Sequence, residues 1–177
     1  MTREIFTLGH STRSLDDLIR LLQGHEIEQL VDVRIAPGSR RLPHFSKDSL
    51  SASLSHEGIS YMHLPQLGGR RRPRPGSPNT GWRTKGFQGY ADHMATSDFR
   101  AALEQLEGIA ERSRSAVMCA EAVWWRCHRM LISDALLARG WKVQHIGLGK
   151  EPQEHQLTSF AVVAGDRITY PASQLEL

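Results

Sequence analysis

The stretch Ile5-Phe6-Thr7-Leu8-Gly9-His10-Ser11-Thr12, continued by Ser14 to Gly24 and then Ile27-Glu28-Gln29-Leu30-Val31-Asp32-Val33-Arg34, decides the fold. Ile5 to Leu8 is a short apolar run closed by turn residues, the signature of a buried strand. Ser14 can cap a helix, with Asp17 three residues on in a variant of the capping box. Leu15, Leu18, Ile19, Leu21 and Leu22 recur at helical spacing, and Gly24 supplies a stop. Ile27 to Arg34 resumes as a strand. The order is β-α-β, a unit whose strands run parallel and whose helix covers one face of the sheet.

The same alternation extends outward. Pro37, Gly38 and Pro43 break regular structure, leaving Ile35 to Phe45 as a loop that carries Arg40, Arg41 and His44. Lys47 to His56 forms a short helix and Ile59 to Leu64 a strand. The pattern then stops for a long Gly/Pro/Arg-rich loop, about 65–89, with Arg70, Arg71, Arg72 and Arg74 at its centre. A helical region begins at Gly89, and Ser97 is expected to cap a helix from Asp98 toward Glu111. Ser115 to Cys119 is a strand, Cys127 to Ala138 a helix stopped by Gly140, and Trp141 to Ile146 a strand. Phe160 to Val163 and Arg167 to Tyr170 form a hairpin turned at Gly165-Asp166. Residues 1–177 thus read as one α/β domain: a mainly parallel sheet with helices on both faces, a three-layer Rossmann-like sandwich with a short C-terminal hairpin.

Composition narrows the partners. Of 22 basic side chains only four are lysines, so 18 are arginines, whose planar fork suits phosphate and carboxylate. The net charge is only +3, so nucleic-acid binding would need a local patch. An anionic small molecule or a nucleic acid is the expected partner; oligomeric state is not legible. No apolar run approaches the roughly 20 residues of a bilayer span, and the start lacks a signal-type apolar region, so a cytoplasmic protein away from membranes is expected. Two cysteines make no secreted disulfide framework and are read as reduced thiols.

In parallel sheets, ligand groups collect beyond the carboxyl ends of the strands. By topology alone that edge receives His10 and Ser11, Asp32 with Arg34, Arg40 and Arg41, and Cys119 with Glu121. The following helix returns Cys127, His128 and Arg129 to the same place. Cys119 reads either as a small buried strand residue or as a thiolate nucleophile stabilised by Arg126, Arg129 and a helix amino terminus, with His128 as base. Glu121 is an acid, a base or an arginine partner, or else a structural cap. Asp32 and Arg34 share a strand face and either pair internally or leave Arg34, with Arg40 or Arg41, for an anion. His10 and Ser11 stabilise their turn or touch ligand. The basic loop is either solvated or available to phosphates, and Trp124 and Trp125 either anchor the helix entrance or stack on a base.

Cys119 and Cys127 are eight residues apart, unlike the two-residue interval of thioredoxin-type sites, although a bond across the turn stays open. Cys119, Cys127 and His128 offer three metal ligands but lack a fourth, so metal is weakly supported and no cofactor is expected.

Five segments carry a resemblance. They are Thr7-Leu8-Gly9-His10-Ser11; Leu30-Val31-Asp32-Val33-Arg34 with Pro37-Gly38-Ser39-Arg40; Gly58-Ile59-Ser60-Tyr61 with Leu67-Gly68-Gly69; Cys119-Ala120-Glu121 with Arg126-Cys127-His128-Arg129; and Gly140-Trp141-Lys142-Val143-Gln144-His145-Ile146. In combination and order the chain resembles the domain-of-unknown-function family 488 (DUF488) over nearly its whole length. The resemblance implies a compact α/β fold and singles out His10, Arg34, Arg40, Cys119, Glu121, Cys127, His128 and Arg129 without naming a reaction. The residues themselves point to an enzyme acting on a phosphate-bearing nucleotide or nucleic acid, with Cys119, Glu121 and His128 as its catalytic group. The alternatives are a non-catalytic nucleotide or nucleic-acid binding module and a thiol redox protein.

Overall fold

The computed structural model describes residues 3–173. Chain order is β1 (Glu4–Gly9), α1 (Leu15–Gly24), β2 (Gln29–Asp32), α2 (Lys47–His56), β3 (Ser60–His63), α3 (Lys85–His93), α4 (Ser97–Arg112), β4 (Ser115–Cys119), α5 (Arg129–Ala138), β5 (Lys142–His145), β6 (Gln153–Glu154), β7 (Val162–Ala164) and β8 (Arg167–Thr169). The main sheet has the order β3-β2-β4-β1-β5-β6. Its first five strands are parallel, and β6 runs antiparallel to β5. β7 and β8 form a separate antiparallel hairpin.

Strand alternation sorts the apolar side chains into two layers. Phe6, Leu8, Leu30, Ala116 and Met118 pack with Leu18 and Leu22 of α1 and Leu50 and Leu54 of α2. Ile5, Val31, Val117 and Val143 face the other way, against Tyr90 of α3, Phe99 and Leu106 of α4, and Leu131 and Leu136 of α5. The result is the Rossmann-like three-layer arrangement read from the sequence. Among the described residues no helix is long and apolar enough to cross a membrane.

Local differences have local causes. α4 is capped by Thr96, whose hydroxyl accepts from the Phe99 N–H, rather than by Ser97. α5 begins at Arg129 because Trp124–Arg126 makes a short 3-10 turn and Cys127 is extended. β6 is two exposed residues, too short to leave a periodic signal.

The stretch 65–89 contains the first residues of α3, and its arginine-rich part is built onto that helix. Asp92 accepts hydrogen bonds from the Arg74 N–H, the Ser77 hydroxyl and the Asn79 amide at 2.6–2.8 Å. Arg71 turns back to donate to the carbonyls of Pro65, Gln66 and Gly68. Gly89 leaves room for the backbone, since a Cβ there would lie 2.3 Å from the Arg71 carbonyl oxygen. Arg70, Arg72 and Arg74 remain exposed.

The end of β1 meets the loop after β4 without clearance. The N–H groups of His10 and Ser11 donate to the carbonyls of Cys119 and Ala120 at 2.9 Å, extending the ladder past both strands. A Cβ on Gly9 would sit 1.8 Å from the Glu121 carbonyl oxygen. Gly9→Ala must therefore displace backbone, and it is expected to cost about 1–3 kcal/mol, as overpacked sites do. Denaturant unfolding measures this.

Candidate functional site

A cleft of about 760 Å³ opens at the carboxyl ends of β2 and β4. Cys119, Cys127 and His128 form one wall; Arg34, Arg70 and Arg126 bring cations to it; Phe87, Tyr90 and Trp125 supply aromatic surface. Trp125 is 47% exposed, large for a tryptophan.

The two thiols are free, and their Sγ atoms lie 2.9 Å apart. Burial pushes the Cys119 thiol well above its ordinary range, and the facing Cys127 pushes it further. Cys119 therefore favours its protonated form, and its one proton has two acceptors in reach, the Glu121 carbonyl at 3.5 Å and, nearer, Cys127 Sγ; given to Cys127, it makes a hydrogen bond across the 2.9 Å gap. That donated hydrogen bond is the largest influence lowering the Cys127 thiol, ahead of the opposing effect of burial. His128 Nδ1, 3.5 Å from Cys127 Sγ, and the charges of His128 and Arg129 act in the same downward direction. Cys127 also sits two residues before the first helical residue of α5, where the helix dipole favours an anion. His128 packs its ring 5.2 Å from Tyr90, and its Nε2 is buried without a hydrogen-bond partner.

Arg34, which lines the cleft, belongs to an ion pair. Asp32, fully buried, accepts from Arg34 Nε at 2.9 Å and Nη2 at 2.7 Å, and from the Tyr61 hydroxyl at 2.5 Å. Arg34 also donates to the Phe45 carbonyl. Its Nη1 faces His10 Nε2 at 3.3 Å, while His10 Nδ1 faces the Ser11 carbonyl. Since a carbonyl only accepts, His10 carries its proton on Nδ1 and offers Nε2 to Arg34. Burial lowers the His10 pKa, in keeping with that neutral form. The Asp32–Arg34 pair of the sequence reading is thus the internal one, with Arg34 still reaching the cleft.

Other expected residues sort by position. Glu121 lines the cleft with its carboxylate exposed, and that carboxylate accepts from the Val123 N–H at 3.2 Å. Ser11, in a left-handed conformation at φ 49°, serves the turn through its backbone. Arg40 and Arg41 are exposed on the loop after β2, outside the cleft lining. Arg129 does not reach the cleft: it is 1% exposed and donates to the carbonyls of Glu121 and Ala122 and to the Thr7 hydroxyl. Of Arg70, Arg71, Arg72 and Arg74, Arg70 alone lines the cleft. Among the described residues no group of three or more His, Cys, Asp or Glu is placed to hold a metal ion.

Sequence reading missed a buried polar network of Thr7, Asp134, His145, His155 and Tyr170. One signal was present: alternation in β5 turns His145 inward with Val143.

Comparison with family models matches residues 14–136 to the family described as domain of unknown function DUF488. The chain belongs to the DUF488 family. The match runs from the N-cap of α1 into α5, so it takes in Asp32, Arg34, both cysteines and His128. It is narrower than the motif resemblance, because the segments at 7–11 and 140–146 lie outside it. No curated protein and no solved structure matches this DUF488 chain.

Removing one partner of a buried pair strands the other charge. Asp32→Ala is expected to cost about 3–5 kcal/mol, whereas Arg40→Ala and Arg41→Ala should each change stability by about 0.5 kcal/mol or less. Equilibrium unfolding of the three variants checks the contrast.

Proposed function

We propose that this protein is an enzyme acting on a phosphate-bearing nucleotide or nucleic acid, with Cys127 rather than Cys119 as its nucleophile. The observation that supports the reading is the position of Cys127. It receives a hydrogen bond from Cys119 at the head of α5, beside a cleft that carries Arg34, Arg70 and Arg126. Cys119 is the poorer nucleophile because its burial favours the protonated thiol.

In the chemical step, Cys127 Sγ bonds to the electrophilic centre of the substrate and the bond to the leaving group breaks. The leaving group takes a proton from His128; water then attacks the sulfur–substrate bond, giving its proton to the neutral His128 as the thiolate is released. Arg70 and Arg126 meet phosphate oxygens, and Trp125 and Phe87 offer faces on which a base stacks. Arg72 and Arg74 extend the cationic surface along the loop.

Thiolates react and thiols do not, so alkylation of Cys127 rises with pH through its folded pKa. With that pKa lowered, iodoacetamide should label Cys127 well below the value of about 8.5 typical of free cysteine. Cys119→Ala, lacking the donated hydrogen bond, should move the midpoint up. The decisive assay offers nucleotides and short oligonucleotides and follows turnover together with intact mass. Cys127→Ser should abolish turnover and any covalent adduct; full turnover by that variant overturns the nucleophile.

Arg70→Gln, Arg72→Gln and Arg74→Gln combined should weaken oligonucleotide binding and flatten its salt dependence by about two in log–log slope, at roughly 0.7 per single-strand phosphate contact. Fluorescence anisotropy across a salt series measures this. Binding that survives while Cys127→Ser changes no chemistry favours a non-catalytic binding module.

The 2.9 Å approach of the sulfurs supports a second reading, a dithiol couple. Cys127 thiolate would attack an acceptor disulfide, and Cys119, losing its proton, would resolve the mixed disulfide. Two thiols become one disulfide as the acceptor disulfide becomes two thiols. Loss of two hydrogens in intact mass after mild oxidation, reversed by a thiol reductant, is its signature; two free thiols afterwards remove it.

A further inference from the structure

Behind the cleft wall, polar side chains lie in single file through the core. Asp134 of α5 is fully buried. Its Oδ1 receives His155 Nε2 at 2.8 Å and the Thr158 N–H at 3.1 Å, and its Oδ2 receives the Tyr170 hydroxyl at 2.8 Å. His155 Nδ1 lies 2.8 Å from His145 Nε2, and His145 Nδ1 lies 2.5 Å from Thr7 Oγ1. Arg129 Nη1 donates to the same Thr7 oxygen at 3.2 Å. Parallel pairing of β1 with β5 sets Thr7 opposite His145. Trp124 stacks on His145 at 4.4 Å and 6°, covering the chain.

Donor accounting orients this file. Arg129 can only donate and a carboxylate can only accept. The assignment that satisfies every contact runs from Arg129 to Thr7, to His145, to His155 and to Asp134, with the proton on Nε2 of each ring. The opposite polarity leaves the Thr7 hydroxyl proton without an acceptor. Burial, followed by His155 and Arg129, lowers the His145 pKa, as a neutral ring requires. At its near end, Arg129 Nη2 donates to the carbonyls of Glu121 at 2.7 Å and Ala122 at 3.1 Å, holding the turn that follows Cys119.

We propose that Thr7, His145, His155 and Asp134 form a positioning relay that fixes the Arg129 guanidinium against the turn after Cys119 and keeps its positive charge beside Cys127. The inference rests on the reading of Cys127 as the reacting thiolate. None of the four relay residues lines the cleft, so they act through Arg129. The ionisable groups that face Cys127 are Cys119 from β4, His128 and Arg129 from α5, and Tyr90 from α3. Of these, Arg129 is the one the relay holds.

The test is Thr7→Val, which keeps the shape but removes the oxygen that joins Arg129 to His145, compared with Thr7→Ser, which keeps the hydroxyl. The Arg129 charge lowers the Cys127 thiol, behind the hydrogen bond from Cys119 and the effects of His128. Thr7→Val should therefore move the pH midpoint of iodoacetamide labelling of Cys127 up from about 4 by about one unit or less, slowing labelling below that midpoint and leaving it nearly unchanged at about pH 6 and above. Thr7→Ser should restore the wild-type profile. An unshifted profile in folded Thr7→Val, or Thr7→Ser behaving like it, overturns the relay.

A measurement on the wild-type chain covers failure of the variant to fold. Nitrogen NMR of isotope-labelled histidine should show His145 and His155 each protonated on Nε2 alone; a proton on Nδ1 of either ring overturns the relay. Labelling uses no nucleotide, so the two proposals separate. A shifted Thr7→Val profile in a protein that turns over no nucleotide keeps the relay and removes the substrate assignment. Turnover that depends on Cys127, with an unshifted profile, does the reverse.

Discussion

A full positive charge on Arg129, 1% exposed in the core, is the constraint on which the site depends. Burying a charge costs several kcal/mol unless hydrogen bonds compensate it. Here two carbonyls after β4 and one hydroxyl on β1 supply that compensation. Meeting them fixes the turn from Cys119 to Ala122, and the same turn requires Gly9, since no side chain fits between β1 and the Glu121 carbonyl.

Arg34 and Arg129 show what burial does to a guanidinium. Each turns most of its fork to groups of the fold: Arg34 to Asp32, Phe45 and His10, Arg129 to backbone and Thr7, with Arg129 Nε buried without a partner. Such arginines shape a site and contribute field, but they have few donors left for an incoming anion. Arg70 and Arg126 differ, because both are exposed while lining the cleft. Arg71 shows the same division inside the basic loop, turning inward while Arg70, Arg72 and Arg74 stay outside.

The two cysteines divide their labour through small differences in place. Cys119 ends a buried strand and keeps its proton; Cys127 is extended and leads into a helix whose dipole favours charge. Neither property follows from the eight-residue interval between them. It is the 3-10 turn at Trp124–Arg126 that brings the second sulfur back onto the first.

Hydrophobic period and turn residues were sufficient to determine the parallel sheet, its two helical layers, the cap at Ser14, α2 and the C-terminal hairpin, because those signals are local and repeat within a few residues. The gathering of His10, Arg34, Cys119, Cys127 and His128 at one sheet edge was legible for the same reason: strand direction sends the first three there, and the helix after β4 starts from that edge with the other two. Which arginine is buried, which thiol holds the proton, and how Thr7 meets Asp134 through His145 and His155 were decided only by the tertiary structure. Those properties arise between residues as far apart as 7 and 145, and desolvation and donor matching act on neighbours in space, whatever their separation along the chain.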